Sequence, residues 1–231
     1  MKYIASDIHG EYDLFMRLLE KISFSDKDEF FVCGDIVEKG VDSVKLVRRL
    51  MKMPNVKCIL GNHEYAFLKY YWSIMECSPT DFDGVLDKLR ENFSGGDDSL
   101  DFDVVDYLEA LPFYIETNDF ICVHAGVPKA IDGSILPLEN ASAEQLVYDR
   151  TFKDPSVTTS ISSKCVFFGH TPTIALTGGR AEILTYLKPN RQGKSVSDYY
   201  KIHLDLGTPI TGRLGCFCVE TCTPHYVERL R

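Results

Sequence analysis

Several features of common protein classes are missing from this 231-residue sequence. No apolar run reaches the roughly 20 residues that a membrane-spanning helix needs. Residues 1–9 lack the apolar core and small-residue cleavage site of a signal peptide. Internal repeats, low-complexity tracts and obvious interdomain linkers are also absent. We therefore expect a soluble, cytoplasmic protein that forms a single domain over residues 1–231 and has no membrane partner.

The chain has fewer basic than acidic residues. The chain has 25 Lys and Arg residues against 34 Asp and Glu residues, which gives a formal net charge of -9. Non-specific attraction to nucleic acid or to an anionic membrane surface is therefore not expected. An anionic substrate would have to be held by locally placed cations or metal ions.

A disulfide framework is not indicated, although the chain contains eight cysteines. Six of them lie in apolar, strand-like runs, where cysteine serves as a small hydrophobe: Cys33, Cys58, Cys122, Cys165, Cys216 and Cys218. This usage suits a reducing compartment. Cys216, Cys218 and Cys222 could act as soft metal ligands, but the first two share one face of a strand-like run, so we favour packing.

What the sequence does contain is a repeated design in which an apolar run ends in polar, metal-binding side chains. Three such runs in the first part of the chain lead to Asp7-Ile-His9, to Gly34-Asp35 and to Gly61-Asn-His-Glu64. Each run is predicted to be a buried strand. Ligands bind at the carboxyl ends of strands in an open α/β sheet, so these side chains are predicted to converge on one site.

The segments between these runs have helical periodicity. Residues 11–22 and the segment after Gly40 each place apolar residues at helical spacing, which predicts two βαβ units and a parallel arrangement. A third helix is predicted from Glu64. An excursion at about residues 77–111 follows, with helical character at 87–93 and 102–111. It could be a helical cap on the core or a wall of the substrate site.

The sequence pattern changes from helical periodicity to short β-like runs after Pro112. Residues 113–116 and 120–124 are short β-like runs joined as a hairpin. Further strands are predicted at 164–169, 201–206, 215–221 and 226–230, and the C-terminal third is predicted to be largely antiparallel. The fold class is therefore α/β, with mixed β-sheets packed face to face and helices outside.

The polar ends of these runs suggest a pair of metal ions. Asp7 and His9 are two residues apart, so an extended chain points both side chains the same way. A mixture of carboxylate, amide and imidazole ligands suits Mn, Fe or Zn better than calcium. Any one of these motifs alone would favour a structural role. Their accumulation, which includes His124-Ala-Gly126 and Gly169-His-Thr171, favours a metal site.

These motifs resemble those of the calcineurin-like metallophosphoesterases and, among them, the phosphoprotein phosphatase family. The family motifs are Gly-Asp-x-His-Gly, Gly-Asp-x-Val-Asp-Arg-Gly and Gly-Asn-His-Glu. This chain has Ser6-Asp-Ile-His-Gly10, Gly34-Asp-Ile-Val-Glu-Lys-Gly40 and Gly61-Asn-His-Glu64. The later His-Ala-Gly and Gly-His-Thr-Pro motifs match at 124–126 and 169–172, most like small bacterial and lambda-phage-type Ser/Thr phosphatases. His203-Leu-Asp-Leu-Gly207 resembles the strand that follows.

The resemblance implies a four-layer αββα fold and a dinuclear metal centre. One ion would be held by Asp7, His9 and Asp35, and the other by Asp35, Asn62, His124 and His170, so Asp35 would bridge. The ions, expected to be manganese with iron or zinc as alternatives on chemical grounds, would lie about 3.5–4 Å apart and activate a bridging hydroxide as the nucleophile. No phosphoenzyme is then expected.

The same resemblance assigns roles near the substrate. His63 would act as the general acid, with a supporting structural role as the alternative. Glu38 stands where the family has the Asp that orients this histidine. Lys39 stands where the family has an Arg that binds phosphate, and lysine lacks the planar guanidinium group that makes two parallel hydrogen bonds. Glu38 and Lys39 could instead form an ordinary solvated turn. Arg150 matches a second phosphate-binding Arg, and Asn62 also lies beside the phosphate.

The function expected from the sequence is hydrolysis of a phosphomonoester, first of all phosphoserine or phosphothreonine in a protein. The alternative within the fold is a symmetrical dinucleoside tetraphosphate hydrolase or another small-molecule phosphoesterase. A non-enzymatic metal-binding scaffold is suggested only by Glu38 and Lys39. Fold-level kinship does not separate the two enzymatic alternatives.

Overall fold

The computed structural model describes residues 1–76, 102–129, 136–158 and 164–230. The excursion predicted at about 77–111, with its helix at 87–93, lies outside the described residues as far as residue 101. The second helix predicted there is present as Phe102–Glu109.

The described residues form two five-stranded sheets. In the first sheet the strands lie in the order β10-β9-β1-β2-β3, and in the second in the order β4-β5-β6-β8-β7. The strand bounds are β1 Lys2–Ala5, β2 Glu29–Val32, β3 Val56–Cys58, β4 Tyr114–Glu116, β5 Phe120–Val123, β6 Cys165–Phe168, β7 Leu184–Leu187, β8 Tyr199–His203, β9 Arg213–Cys218 and β10 Thr223–Glu228.

Six α-helices are present in the described part of the chain. Their bounds are α1 Tyr12–Lys21, α2 Ser43–Met51, α3 Asn62–Met75, α4 Phe102–Glu109, α5 Ala143–Tyr148 and α6 Thr208–Thr211. The first two connect β1, β2 and β3, which are parallel, so both predicted βαβ units are confirmed. None of the helices in these ranges combines the length and the apolar character needed to cross a bilayer.

The two sheets pack face to face around an aromatic core. Phe31 of the first sheet meets Phe120 of the second edge-to-face, with ring centroids 5.2 Å apart, and Phe120 contacts Phe167 at 5.5 Å. The outer face of the first sheet is covered by the apolar sides of α1 to α4. Leu146 and Val147 of α5 pack on the outer face of the second. The predicted fold class, mixed sheets with flanking helices, is confirmed.

The topology of the C-terminal third differs in part from the prediction. The hairpin of β9 and β10 is antiparallel as expected, and so is the pairing of β7 with β8. However, β6 is parallel to both β5 and β8, because long crossovers rather than hairpins connect these three strands. The carboxyl ends of β5, β6 and β8 therefore lie at one edge of the second sheet.

Candidate metal centre

The loops that follow the strands of both sheets meet at one place. The backbone N–H of His9 donates to the carbonyl of Asp35 at 2.9 Å, and the N–H of Gly169 donates to the carbonyl of His124 at 2.8 Å. The His124 ring connects the two sheets, because its Nδ1 lies 2.8 Å from the carbonyl oxygen of Cys33. The predicted convergence of the strand ends is thus present in the fold.

The backbone of these loops is held in an unusual conformation. Asp7, His9, Asp35 and His170 have positive φ angles of 54°, 50°, 53° and 70°, in the left-handed region that non-glycine residues rarely adopt. Glu38 and Lys39 both have a φ angle of 64°. Strained backbone of this kind persists where the surrounding structure enforces it, and it clusters at functional sites.

Two glycines allow the loops to approach this closely. A Cβ atom at Gly61 would overlap the carboxylate of Asp35, and one at Gly169 would overlap the side chains of Ser6 and Asp7. Any side chain at either position would therefore push a carboxylate out of the site.

Asp35 is shared by two groups of potential ligand atoms. Its Oδ2 lies 3.5 Å from His9 Nε2 and 3.8 Å from His63 Nε2, and its Oδ1 lies 3.4 Å from His124 Nε2. The first group consists of His9, Asp35 and His63, and the second of Asp35, His124 and His170. Asp35 thus occupies the place where a bridging ligand would have to be.

Asp7 and Asn62 complete the two groups. Asp7 Oδ1 lies 4.0 Å from His9 Nε2. The amide oxygen of Asn62 lies 2.9 Å from His124 Nε2 and 2.7 Å from His170 Nδ1. All six residues predicted as metal ligands are therefore brought together.

The donor set fits divalent metal ions. The Nδ1 atoms of His9 and His124 face the backbone carbonyls of Val37 and Cys33 at 3.0 and 2.8 Å, so Nδ1–H donation leaves each Nε2 with a lone pair directed into the site. His170 Nε2 is buried and has no hydrogen-bond partner. A cation would satisfy this orphaned atom.

Burial keeps three imidazoles neutral, as metal ligation requires. Desolvation lowers the pKa of His9 to about 4, that of His170 to about 3, and that of His124 below its ordinary value. Burial would raise the pKa of Asp35, but the neighbouring imidazoles of His124, His9 and His63 outweigh it and lower this pKa to about 2. Asp35 is therefore ionised at neutral pH.

A third carboxylate, Asp205, lies beside Asp7. Burial raises the pKa of Asp205 to about 7, and burial together with the Asp205 charge raises the pKa of Asp7 well above its ordinary value. Both side chains are almost completely buried. Such a concentration of buried acids favours a cation in their midst.

His63 differs from the other imidazoles. Burial lowers its pKa, but the hydrogen bond to Glu38 and the charge of Asp35 more than compensate, so its pKa is raised. The distance from His63 Nδ1 to Glu38 Oε2 is 2.5 Å. Glu38 thus reaches the histidine despite its extra methylene, and a protonated His63 is favoured.

The two predicted phosphate-binding cations, Lys39 and Arg150, differ in their contacts with the centre. Lys39 Nζ is 2.9 Å from His9 Nε2, the atom that would ligate a metal, so Lys39 has to move aside when an ion binds. Arg150 is exposed, and its charge helps to lower the pKa of His170.

Sequence reasoning assigned no role to Asp205 or Glu64. Glu64 is completely buried, and its carboxylate accepts backbone N–H bonds from Asp35, Ile36, Val37 and Gly61 at 2.7–2.9 Å. It therefore shapes the loop that carries Asp35. The signals were present in the Gly61-Asn-His-Glu64 and His203-Leu-Asp-Leu-Gly207 stretches, but which backbone groups they meet depends on the tertiary fold.

Comparison with known families gives one match over most of the chain. The profile of the calcineurin-like phosphoesterases matches residues 3–194.

Two curated relatives with the same name are similar in sequence to part of this chain. A protein named "Bis(5'-nucleosyl)-tetraphosphatase, symmetrical" from Haemophilus ducreyi is 32% identical over 157 residues, which cover 66% of this chain and 54% of the relative. A protein of the same name from Buchnera aphidicola is 33% identical over 141 residues, or 58% of this chain and 47% of the relative. The chain thus spans about half the length of these relatives.

Two solved structures share the fold. The crystal structure of a candidate diadenosine tetraphosphatase superposes with a TM-score of 0.70 at 22% identity and covers 98% of this chain and 92% of its own. A metallophosphoesterase from Sphaerobacter thermophilus gives a TM-score of 0.55 at 20% identity, covering 98% and 88%. At these identities the likeness establishes the fold alone.

Proposed function

Because this chain belongs to the calcineurin-like phosphoesterase family, we propose that it is a metal-dependent phosphoester hydrolase and that its substrate is a dinucleoside tetraphosphate cleaved symmetrically. The names of the relatives support this substrate. They favour a symmetrical dinucleoside tetraphosphate hydrolase over a Ser/Thr protein phosphatase, which was the function first expected from the sequence.

One geometric observation carries the hydrolytic part of the proposal. The carboxylate of Asp35 faces His9 and His63 with one oxygen and His124 with the other, at 3.4–3.8 Å. We assign Asp7, His9 and Asp35 to one ion and Asp35, Asn62, His124 and His170 to the other. Two divalent ions, of which we propose manganese, would polarise phosphoryl oxygens and lower the pKa of a water molecule.

The chain's own groups then have defined tasks. The oxygen of a water molecule bonds to an inner phosphorus, the central P–O–P bond breaks, and two nucleoside diphosphates leave. His63, protonated at Nε2 and held at Nδ1 by Glu38, donates a proton to the departing oxygen. Lys39 and Arg150 bind the phosphate oxygens, with Asn62 beside them. A chain of four phosphates suits a site with two cationic side chains, Lys39 and Arg150, in a protein of net charge -9.

A substrate panel tests the proposal. Metal-depleted protein is supplemented with Mn, Fe, Zn or Mg and assayed on diadenosine tetraphosphate, on a phosphoserine peptide and on an aryl phosphate. We expect the highest kcat/KM on the tetraphosphate with manganese. A higher kcat/KM on the phosphopeptide would replace the proposed substrate, and full activity without any metal would refute the hydrolytic site itself.

A further inference from the structure

Lys201 is a buried cation outside the proposed metal centre. It lies on β8 and its exposed fraction is 0%. Its Nζ donates three hydrogen bonds, to the backbone carbonyls of Phe152 at 2.6 Å, Asp154 at 2.6 Å and Val157 at 2.7 Å. An ammonium group has three N–H donors, so all of them are used on one loop.

The surroundings of Lys201 compensate its charge without an ion pair. Its Nζ lies 4.7 Å from the ring centroid of Phe152, 4.8 Å from that of Tyr186 and 5.9 Å from that of Phe168. No carboxylate of the described residues lies within salt-bridge distance of it. Burial lowers the pKa of Lys201 to about 8. A buried charge is costly, and an apolar residue would fill this space more favourably.

The loop that Lys201 holds begins next to the site. Arg150 lies two residues before Phe152, whose side chain is completely buried and packs against Gly126 so closely that a Cβ atom there would overlap it. Gly126 in turn follows the proposed ligand His124 by two residues. Arg150 thus lies between helix α5, which ends at Tyr148, and the loop that Lys201 anchors.

We propose that Lys201 is a positioning residue, whose ammonium group fixes the loop of residues 152–157 and thereby directs Arg150 toward the substrate phosphate. The proposal rests on the proposed function in one respect, the phosphate-binding role of Arg150. Lys201 itself touches neither substrate nor metal. It lies on the face of β8 that packs against the loop, whereas Ile202, its neighbour, lies in the core between the sheets.

A double-mutant cycle tests this role. The parent, Lys201→Met, Arg150→Ala and the double variant are compared on diadenosine tetraphosphate and on an aryl phosphate. Arg150→Ala is expected to lower kcat/KM roughly 10–100-fold, the loss of one charge-assisted hydrogen bond. Lys201→Met is expected to lower it at least about fivefold, mainly through KM, and to cost less than about twofold in the Arg150→Ala background.

Two controls separate positioning from general stability. Ile202→Ala removes buried side-chain atoms on the same strand without touching the loop, so it should lower Tm but leave KM unchanged. Lys201→Gln supplies an uncharged amide donor in place of the ammonium group and should have an intermediate effect. It replaces Lys201→Met in the test if that variant folds poorly. Metal content should be unchanged in all of these variants.

Hydrogen exchange provides a readout that needs no activity. The N–H groups of Asp154 and Val157 donate to carbonyls within the loop, of Thr151 and Asp154, so Lys201→Met should speed their exchange while Ile202→Ala does not. If loop exchange is unchanged, or if Lys201→Met costs the same factor with and without Arg150, Lys201 is not a positioning residue. If the parent cleaves only the aryl phosphate, the proposed substrate fails, and the cycle is decided on the aryl phosphate.

Discussion

At the scale of single residues, the proposed metal centre depends on Asp35. Its two carboxylate oxygens face different imidazoles, and its pKa of about 2 keeps it ionised at any working pH. The residue types of the site could be predicted from the sequence, because each follows an apolar run and matches a family motif. The contribution of Asp205 could not, since only the folded chain brings it beside Asp7.

Replacing Asp35 by Asn is expected to remove at least one of two bound ions and to reduce kcat by more than Asp7→Asn does. A neutral amide bridges two cations poorly, and both ions lose a negative ligand. Metal analysis after gel filtration measures the stoichiometry of both variants. Two ions retained with near-normal turnover in Asp35→Asn would disprove the bridging assignment.

His63→Asn is expected to keep the metal content while slowing turnover by roughly 10²–10⁴, the range for loss of a general acid. The loss should be smaller for a diphosphate or an acidic phenol as leaving group than for an alkoxide, because such groups need less protonation. Glu38→Gln is the matched control, and it should impair the enzyme less. An equal loss on aryl phosphates of low and high leaving-group pKa would give His63 a different role.

Lys39 is the clearest departure from the family pattern. If its ammonium group moves from His9 to the substrate phosphate, it makes one charge-assisted contact worth about 1.5–3 kcal/mol. Lys39→Ala should then lower kcat/KM about tenfold or more, and Lys39→Arg should retain activity. Steady-state kinetics on the tetraphosphate decide this. Parent-like kinetics in both variants would support the solvated turn and leave Arg150 as the only proposed cationic clamp.

At the scale of secondary-structure elements, periodicity was a good guide where elements are amphipathic and local. Helices α1 and α2 were predicted closely because each has a local amphipathic pattern. The hairpin was predicted closely because β4 pairs with β5, its neighbour in the sequence. The strand β7 was missed, since Leu184–Leu187 is a half-exposed edge strand with a weak pattern. The parallel pairing of β6 with β8 depends on crossovers that no local pattern encodes.

The anchoring of the loop by β8 predicts a pH dependence of stability. The pKa of Lys201 is about 8 in the folded protein and 10.5 ordinarily. Between these values the unfolded chain binds a proton that the folded chain does not, so stability rises with pH, by about 3 kcal/mol at most. Below pH 8 the cost of the buried charge is fully present.

Urea denaturation of the parent and of Lys201→Met, in the presence of chelator, measures this effect. The free energy of unfolding of the parent relative to the variant should increase from pH 8 to pH 10.5, because only the parent loses the buried charge. A difference between the two proteins that stays constant over this range would show that Lys201 is not deprotonated in the folded state.

At the scale of the whole molecule, the sandwich explains why one site draws ligands from both sheets. The carboxyl ends of β1, β2 and β3 meet those of β5 and β6 at one edge, and His124 joins the two sheets through the carbonyl of Cys33. The sequence predicted mixed sheets packed face to face, and the residues that it proposed as metal ligands lie together at this edge. The choice between a phosphoprotein and a tetraphosphate substrate could not be made from the motifs, because both kinds of family member share them.

The most direct measurement is product analysis after cleavage of diadenosine tetraphosphate by manganese-reconstituted protein in water enriched in the heavy oxygen isotope. We expect two ADP molecules per substrate, with one heavy oxygen on the terminal phosphate of one of them, and no reaction in chelator. AMP and ATP as products, or label-free ADP, would contradict symmetrical cleavage by direct attack of water.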